Sequence, residues 1–362
     1  MTATCYSTTA TPYHGEVALS YWQTLVRVAE REGVDPEKIR RILAREEAHL
    51  LSSEEKVPPE GPNAAILVAQ YIEVMKLGLA ACDDFGLEVG RSVTPGSYPI
   101  LGMTLLSCQS LKQVLEQVVR YESLNHDLGI SRLDIRREES AYCWAPNPLY
   151  FPDPKGGVSF NVVVSVFAGV RTFAPWLINQ HFPIKKICFM AAEPKNSRLY
   201  KSFFGAEIQY NQPANAMIVN SDILSWPVLN GDAASFDALT AHAEKLLNGR
   251  EGQRDLIWQL KSALPEALRK QAYRVEEIAG ALNMSARTLQ RKLKERGCSY
   301  KQLLDDVRKQ LAEFYLTEAR VSMSEIAFLV GYQEQSSFNH AFKVWNGLSP
   351  TAYREQKSRA TE

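Results

Sequence analysis

Apolar positions along the chain keep a helical period at both ends and a two-residue period in the middle. Val17, Leu19, Trp22, Leu25, Val26 and Ala29 fall near helical spacing. Gly33 stops that run, and Asp35-Pro36 open a second helix through Leu43 and beyond. Ser52 to Pro62 reads as a charged, proline-containing loop, and a third helix is predicted from about Asn63 to Ala81. Gly86, Gly90, Pro95 and Gly96 then punctuate a connection. Leu111 to Leu124 is an amphipathic helix with Leu111, Val114, Leu115, Val118, Val119 and Tyr121 on its apolar side.

From Ile130 the period falls to two, with a weakly marked inner face. Ser140 to Ala145 follows across a Glu-Glu turn, so a hairpin is expected. Pro146 to Gly157 is a proline-rich loop, and Val158 to Phe173 is a buried helix interrupted by Ser159, Asn161 and Ser165. Ile184 to Ala191 is a strand, and Ala206 to Tyr210 with Ala216 to Val219 predict a second hairpin. This α+β stretch ends near Trp226-Pro227. Leu229 to Gly252 reads as a linker region with a short helix from Ala233 to Leu247, closed by Asn248-Gly249. Everything after Gln253 reads as helices.

The last hundred residues repeat one local pattern. Val275, Ile278, Ala279 and Leu282 make the apolar face of a short helix, Asn283-Met284 turn the chain, and Ser285 caps the next helix, Ala286 to Arg296. Leu289 and Leu293 face inward there, leaving Arg287, Gln290 and Arg291 outward near the helix start. A short helix, a tight turn and a second helix with polar residues on its open face fit a DNA major groove. Arg pairs bidentately with guanine and Gln with adenine. In the second copy, Ile326, Ala327 and Val330 pack the first helix, Gly331 turns, and a helix from about Gln335 to Trp345 buries Phe338, Ala341 and Phe342. Glu334, Gln335, Ser336, Asn339 and His340 are left as groove-facing candidates, and Lys343 is placed for phosphate, a contact that positions without specifying sequence. Between the copies, Tyr300 to Thr317 is one helix of roughly 27 Å at about 1.5 Å per residue. A connector of that length can hold two recognition helices about one DNA turn, roughly 34 Å, apart.

Charge agrees with this division. The chain of 362 residues has a formal net charge of +0. From Gln253 onward it carries 18 Lys/Arg against 13 Asp/Glu, a net of +5, which leaves −5 on the residues before it. A basic end on an acidic body fits a phosphate-facing module attached to something else. The scattered Cys5, Cys82, Cys108, Cys143, Cys188 and Cys298 show neither zinc spacing nor a disulfide framework, so no metal is expected. The start of the chain lacks the features of a signal peptide, and no uninterrupted apolar run approaches the roughly 18 residues of a membrane span. A cytoplasmic protein with no membrane association is expected.

Gly331-Tyr332, Ser337-x-x-x-x-Phe342-Lys343, Gly347-x-Ser349-Pro350 and Tyr353-Arg354 resemble, without gaps, the signature of AraC-type transcription regulators. The likeness covers about residues 255–355 and implies two helix-turn-helix units joined by one helix. His340 departs from it, since many members carry Arg there. Gly90-x5-Gly96-x-Tyr98-Pro-Ile-Leu101-Gly102, Arg120-Tyr121 and Tyr200-x-x-x-Phe204-Gly205 are similar, more loosely, to the arabinose-binding-type sensor domain of one branch of that family. Such domains bind a small effector or fatty acid, dimerise, or both.

The resulting expectation is an α+β N-terminal sensor/dimerisation domain followed by an all-α domain with two helix-turn-helix units. Residues 1–15 would be a disordered tail, 16–230 the effector-binding and dimerisation domain, 231–252 the linker and 253–357 the DNA-binding domain. The implied partners are double-stranded promoter DNA, a small-molecule effector, a second copy of the chain, and RNA polymerase if the regulator activates. No cofactor and no catalytic residue is expected, because G-x-S-x-G, H-E-x-x-H and phosphate-binding glycine loops are absent from the sequence. His14, His49, His126 and His181 read as isolated. Tyr98, Tyr142, Trp144, Phe160 and Phe167 can line a pocket or simply pack, and Arg132, Arg136 and Arg171 can clamp a carboxylate or form surface ion pairs, so the ligand residues stay open. An enzyme with a DNA-targeting C-terminal module is the rival, and an interaction protein with degenerate helix-turn-helix units is a third reading.

Overall fold

The computed structural model describes residues 15–50, 65–253, 256–295, 298–317 and 321–359. The predicted tail, apart from Gly15, and the predicted loop from Ser52 to Pro62 lie outside these residues. The chain divides into two compact units, one from His14 to Glu251 and one from Gly252 to the C-terminal end.

The first unit is α/β. Strand β1 (Glu16–Ala18) pairs antiparallel with β2 (Ala65–Leu67), Val17 opposite Ile66. Val17 therefore belongs to a strand, and the helical run begins two residues later, in α1 (Leu19–Arg31); α2 (Pro36–Leu50) follows. Likewise α3 (Val68–Ala81) starts only after β2. Next come α4 (Phe85–Arg91), α5 (Pro99–Ser107) and α6 (Leu111–Tyr121), then the hairpin of β3 (Gly129–Asp134) and β4 (Glu139–Pro146). The long α7 (Gly157–Ile178) is succeeded by β5 (Lys186–Cys188), α8 (Ser197–Phe204), β6 (Glu207–Gln209), β7 (Ala216–Asn220) and α9 (Ala233–Gln253).

Three sequence expectations are corrected here. Gly86 and Gly90 do not mark a loop; they lie within α4, where it crosses α7. A Cβ on Gly86 would meet the Asn161 carbonyl oxygen at 2.1 Å, and one on Gly90 would meet the Ala168 Cβ at 2.4 Å. These glycines permit a close helix crossing rather than a turn. Second, β6 and β7 are not a hairpin. The sheet order is β3-β4-β7-β5-β6, with β5 between them, parallel to β6 and antiparallel to β7. The chain leaving β6 is held over the end of β5 by Asn211 N–H to Ala191 O (2.9 Å) and Gln212 N–H to Phe189 O (2.9 Å). Third, the helix after Leu229 runs on through Asn248 and Gly249 to Gln253. A single interior glycine costs only about 1 kcal/mol and does not by itself end a helix.

Helix α7 is long and apolar enough to span a membrane by length and composition, yet most of it is buried inside this unit. Its Phe167 packs on Tyr142 of β4 and on Phe189 at 6.2 and 5.9 Å between ring centroids. Ala243 and Leu247 of α9 close the same core.

Among the described residues the second unit contains helices and their connections, without strands. Leu256, Leu260, Leu264 and Leu268 make a buried i, i+4 stripe on α10 (Leu256–Arg269). Around it lie α11 (Val275–Ala281), α12 (Ala286–Glu295), α13 (Tyr300–Thr317), α14 (Met323–Leu329), α15 (Gln335–Asn346) and α16 (Pro350–Arg359). The α+β-then-all-α order expected from the sequence is the observed one.

Candidate nucleic-acid interface and effector cavity

Each pair α11/α12 and α14/α15 is a helix-turn-helix. In the first, Arg274 N–H is held by the Glu277 carboxylate (2.8 Å), Asn283 takes the left-handed conformation at φ 54°, and Met284 N–H returns to Ala279 O at 2.9 Å. Ser285 Oγ then accepts from Thr288 N–H (3.2 Å), capping α12 as its residue type predicts. In the second, Ser322 and Glu325 form a reciprocal capping box, Gly331 turns at φ 80°, and Tyr332 N–H returns to Ala327 O at 2.8 Å. The two turns share one geometry, with one extra residue between the turn and the cap in the second.

From their caps onward the two recognition helices are in the same register. Counted from the caps Ser285 and Glu334, the buried pairs Leu289/Leu293 and Phe338/Phe342 coincide. So do Arg287 with Ser336, Gln290 with Asn339, Arg291 with His340 and Lys294 with Lys343. Arg287, Gln290 and Arg291 are exposed on α12, as are Gln335, Ser336, His340 and Lys343 on α15; Asn339 is half-buried. Three candidates have local partners. Arg291 is bridged to Glu295 (2.5 Å), an exposed pair that yields readily to a stronger anion. Glu334 is the N-cap residue of α15 and accepts from the Ser336 hydroxyl at 3.2 Å, a position where a carboxylate also favours the helix dipole.

The remaining signature residues build the scaffold. Tyr353 meets Phe342 edge-on at 5.3 Å, and Arg354 donates to Val321 O (2.9 Å) and Leu316 O (3.2 Å), fastening α16 to the ends of α13 and α14. The sequence reading missed Arg308. Its side chain, 12% exposed, leaves α13, lies between the rings of Tyr273 and Tyr332 at 4.9 and 4.6 Å, and donates to Val330 O and Gly331 O at 3.0 and 3.1 Å. The sequence held no distinctive signal for it, because Arg308 is one of several charged residues along α13, with Lys301, Asp305, Asp306, Lys309 and Glu313.

The α/β unit holds a partly enclosed cavity between α5, α6, α7 and the start of α1. Leu105, Leu111, Val114, Leu115, Val166 and Phe173 supply much of its wall. It admits water-sized spheres over about 80 Å³, several times the roughly 10–15 Å³ that one water requires. Of the aromatic residues whose role the sequence left open, Tyr98 and Tyr142 line it, whereas Phe160 and Phe167 pack around Phe189. Trp144 lies behind the wall and donates to Glu122 at 2.7 Å. Arg132, Arg136 and Arg171 do not line the cavity, and Arg136 pairs with Asp134 on the surface at 2.7 Å, so the carboxylate clamp considered from the sequence is not assembled there.

The polar part of the wall comes from a segment that sequence reading passed over. Glu122, Asn125 and His126 all line the cavity and are all buried, which places one of the four histidines read as isolated beside two other polar side chains. Burial pushes the Glu122 carboxyl up to about 7, against the opposing effect of donors from Ser131 and Trp144. Burial likewise raises the phenols of Tyr21, Tyr98 and Tyr142, which therefore remain neutral donors. Just before this segment, Arg120 and Tyr121 grip Glu244 of α9, with Tyr121 Oη donating at 2.6 Å.

Comparison with known proteins agrees with both halves. Residues 57–228 match the arabinose-binding domain of AraC transcription regulators, N-terminal, and residues 278–356 match a helix-turn-helix domain. The chain is 40% identical over 299 residues to the HTH-type transcriptional regulator VirS of Mycobacterium tuberculosis, covering 81% of this chain and 85% of that protein. It is 27% identical over 312 residues to the ornithine utilization regulator of Pseudomonas aeruginosa, covering 83% and 88%. Over 82 residues it is 38% identical to the HTH-type transcriptional regulator GadX of Escherichia coli, 23% of this chain and 30% of that one. With a helix-turn-helix unit at each end of α13 and an arabinose-binding-type domain before them, the chain belongs to the AraC-type family of transcription regulators.

Proposed function

We propose that one chain of this regulator reads two adjacent major-groove segments of promoter DNA, with α12 in one and α15 in the next. The observation that carries this reading is the register of the two recognition helices, whose outward residues occupy equivalent positions from their caps. Helix α13, with 18 residues and a length of roughly 27 Å, suits a spacing near one DNA turn. In this reading Arg287, Gln290 and Arg291 contact base edges from α12. Glu334, Gln335, Ser336, Asn339 and His340 form the second reading surface, and Lys343 meets phosphate. Most of the formal charge sits on α12, so the first unit supplies most of the electrostatic attraction.

Residues 16–230 act as the effector and dimerisation domain, residues 231–252 as the connection and residues 253–357 as the DNA-binding domain. The cavity beside Glu122 is the effector site. The regulator works in the cytoplasm as a homodimer, contacts RNA polymerase where it activates, and catalyses no reaction. A ligand that favours one conformation shifts how the DNA-binding units are presented.

Mobility-shift titrations on a bound promoter fragment test the DNA contacts. Arg287→Ala, Gln290→Ala and Arg291→Ala should each cost on the order of 1–3 kcal/mol of specific binding and relax base preference. Lys343→Ala should weaken all sequences alike and reduce the salt slope by about one. Undiminished sequence preference in the three α12 variants would sink the assignment, and a flat salt dependence of the parent chain would sink DNA reading altogether.

A further inference from the structure

We infer that the cavity of the α/β unit takes a small primary amine on an apolar body, with its ammonium group between Glu122 and Asn125. This rests on the effector-site reading above and names the ligand class that the reading leaves open.

The polar wall offers acceptors. Glu122 is 7% exposed, and neither Lys nor Arg is among the described residues that line the cavity. Its two oxygens accept from Trp144 Nε1 at 2.7 Å and from Ser131 N–H at 2.9 Å. Those bonds fix the carboxylate and leave each oxygen a further lone pair. Asn125 is 2% exposed, and its Oδ1 has no hydrogen-bond partner. A buried acceptor left unmade is costly, and a ligand donor can recover that cost. An ammonium group has three donors and no acceptor, and it also supplies the cation that the wall lacks. A carboxylate ligand would set a second negative charge beside Glu122. A sugar would turn several hydroxyls toward leucine, valine and phenylalanine side chains, where they lose water without gaining partners. The volume, several waters' worth, suits a compact molecule.

Proton linkage supplies a second signature. Glu122 is partly protonated near neutral pH, and an ammonium beside it favours the ionised form. The groups around it are Tyr21 of α1, Tyr98, Tyr142 of β4, and Asp127 and His126 of its own segment. The phenols stay neutral, and protonation of His126 would repel an ammonium, which acts in the same direction as protonation of Glu122. Amine affinity therefore rises with pH through the neutral range.

Titration calorimetry of the full chain with hexylamine, 1-hexanol, hexanoate and L-arabinose tests this. Hexylamine should bind at least tenfold more tightly than 1-hexanol, and hexanoate and arabinose should give no saturable heat. Hexylamine affinity should fall about eightfold from pH 7.5 to pH 6, as a carboxyl titrating near 7 requires, while 1-hexanol is unaffected. Glu122→Gln should bring hexylamine down to the level of 1-hexanol. Val118→Phe, which fills the cavity from α6, should abolish both. If Glu122→Gln does not fold, as judged by circular dichroism, the pH series on the parent chain decides. Hexanoate binding as tightly as hexylamine overturns the amine assignment and leaves the cavity as the effector site. Failure of all four probes, with the parent chain and Val118→Phe equally unresponsive, overturns the amine assignment and the effector-site reading together.

Discussion

In the first helix-turn-helix the chain reverses on Asn283 at φ 54°, exposed to solvent; in the second it reverses on Gly331 at φ 80°, buried. Around Gly331 stand the Leu268 Cδ2, Tyr273 Cε1 and Arg308 Nη2 atoms, at 2.6, 3.1 and 3.3 Å from where a Cβ would lie. Both turns need a left-handed residue, but only the second also needs an absent side chain. Asparagine satisfies the first requirement, because its short polar side chain makes that conformation tolerable. The second turn is wedged between α10 and α13, so its position follows theirs. The difference teaches where rigidity is placed: the basic reading helix hangs on an open turn, and the nearly neutral one on a clamped turn.

Gly331→Val should show the contrast at its strongest. A β-branched residue at that φ is strained, and its side chain must displace Leu268 or Tyr273. We expect a loss of about 3 kcal/mol in the unfolding transition of the helical unit, followed by urea with far-ultraviolet circular dichroism. An unaltered midpoint would mean that the second turn is as open as the first.

Arg308→Met comes next. Methionine keeps much of the stem packed between Tyr273 and Tyr332 but leaves Val330 O and Gly331 O without the guanidinium donors. The expected loss is roughly 2 kcal/mol in the same transition, with hydrogen exchange quickening in α14 and α15 more than in α11 and α12. Equal quickening in both units would remove the distinction between a clamped and an open turn.

The same contrast separates what could be read along the chain from what could not. Tyr300 to Thr317 was predicted to the residue as the connector, because its apolar period is long. The outward positions of α12 and α15 were also legible, since Leu289, Leu293, Phe338 and Phe342 fix which face is inward. Arg308 escaped because its partners are backbone oxygens some twenty residues away in sequence. Glu122, Asn125 and His126 escaped for the opposite reason: polar residues at and just past the end of an amphipathic helix carry no local mark of burial, and only tertiary packing buries them. The order of the sheet had no local signature either. Ile187 pairs with Ile208 on one side and Met217 on the other, and neither partner is marked by proximity in sequence.

The smallest effect is expected at Asn283, and it tests the comparison from the other side. If the first turn needs only tolerance of the left-handed conformation, glycine should replace asparagine almost without consequence. Glycine removes the strain of a Cβ at positive φ but adds freedom to the unfolded chain, and these terms oppose one another. Asn283→Gly should therefore shift stability by no more than about 0.5 kcal/mol in either direction, read in the same urea experiment. The backbone bonds Met284 N–H to Ala279 O and Asn283 N–H to Gly280 O are unaffected by the change, so the helices on either side keep their geometry. A loss above about 1 kcal/mol would show that the Asn283 side chain itself holds the turn. The first unit would then be clamped as the second is, by an amide in place of Arg308.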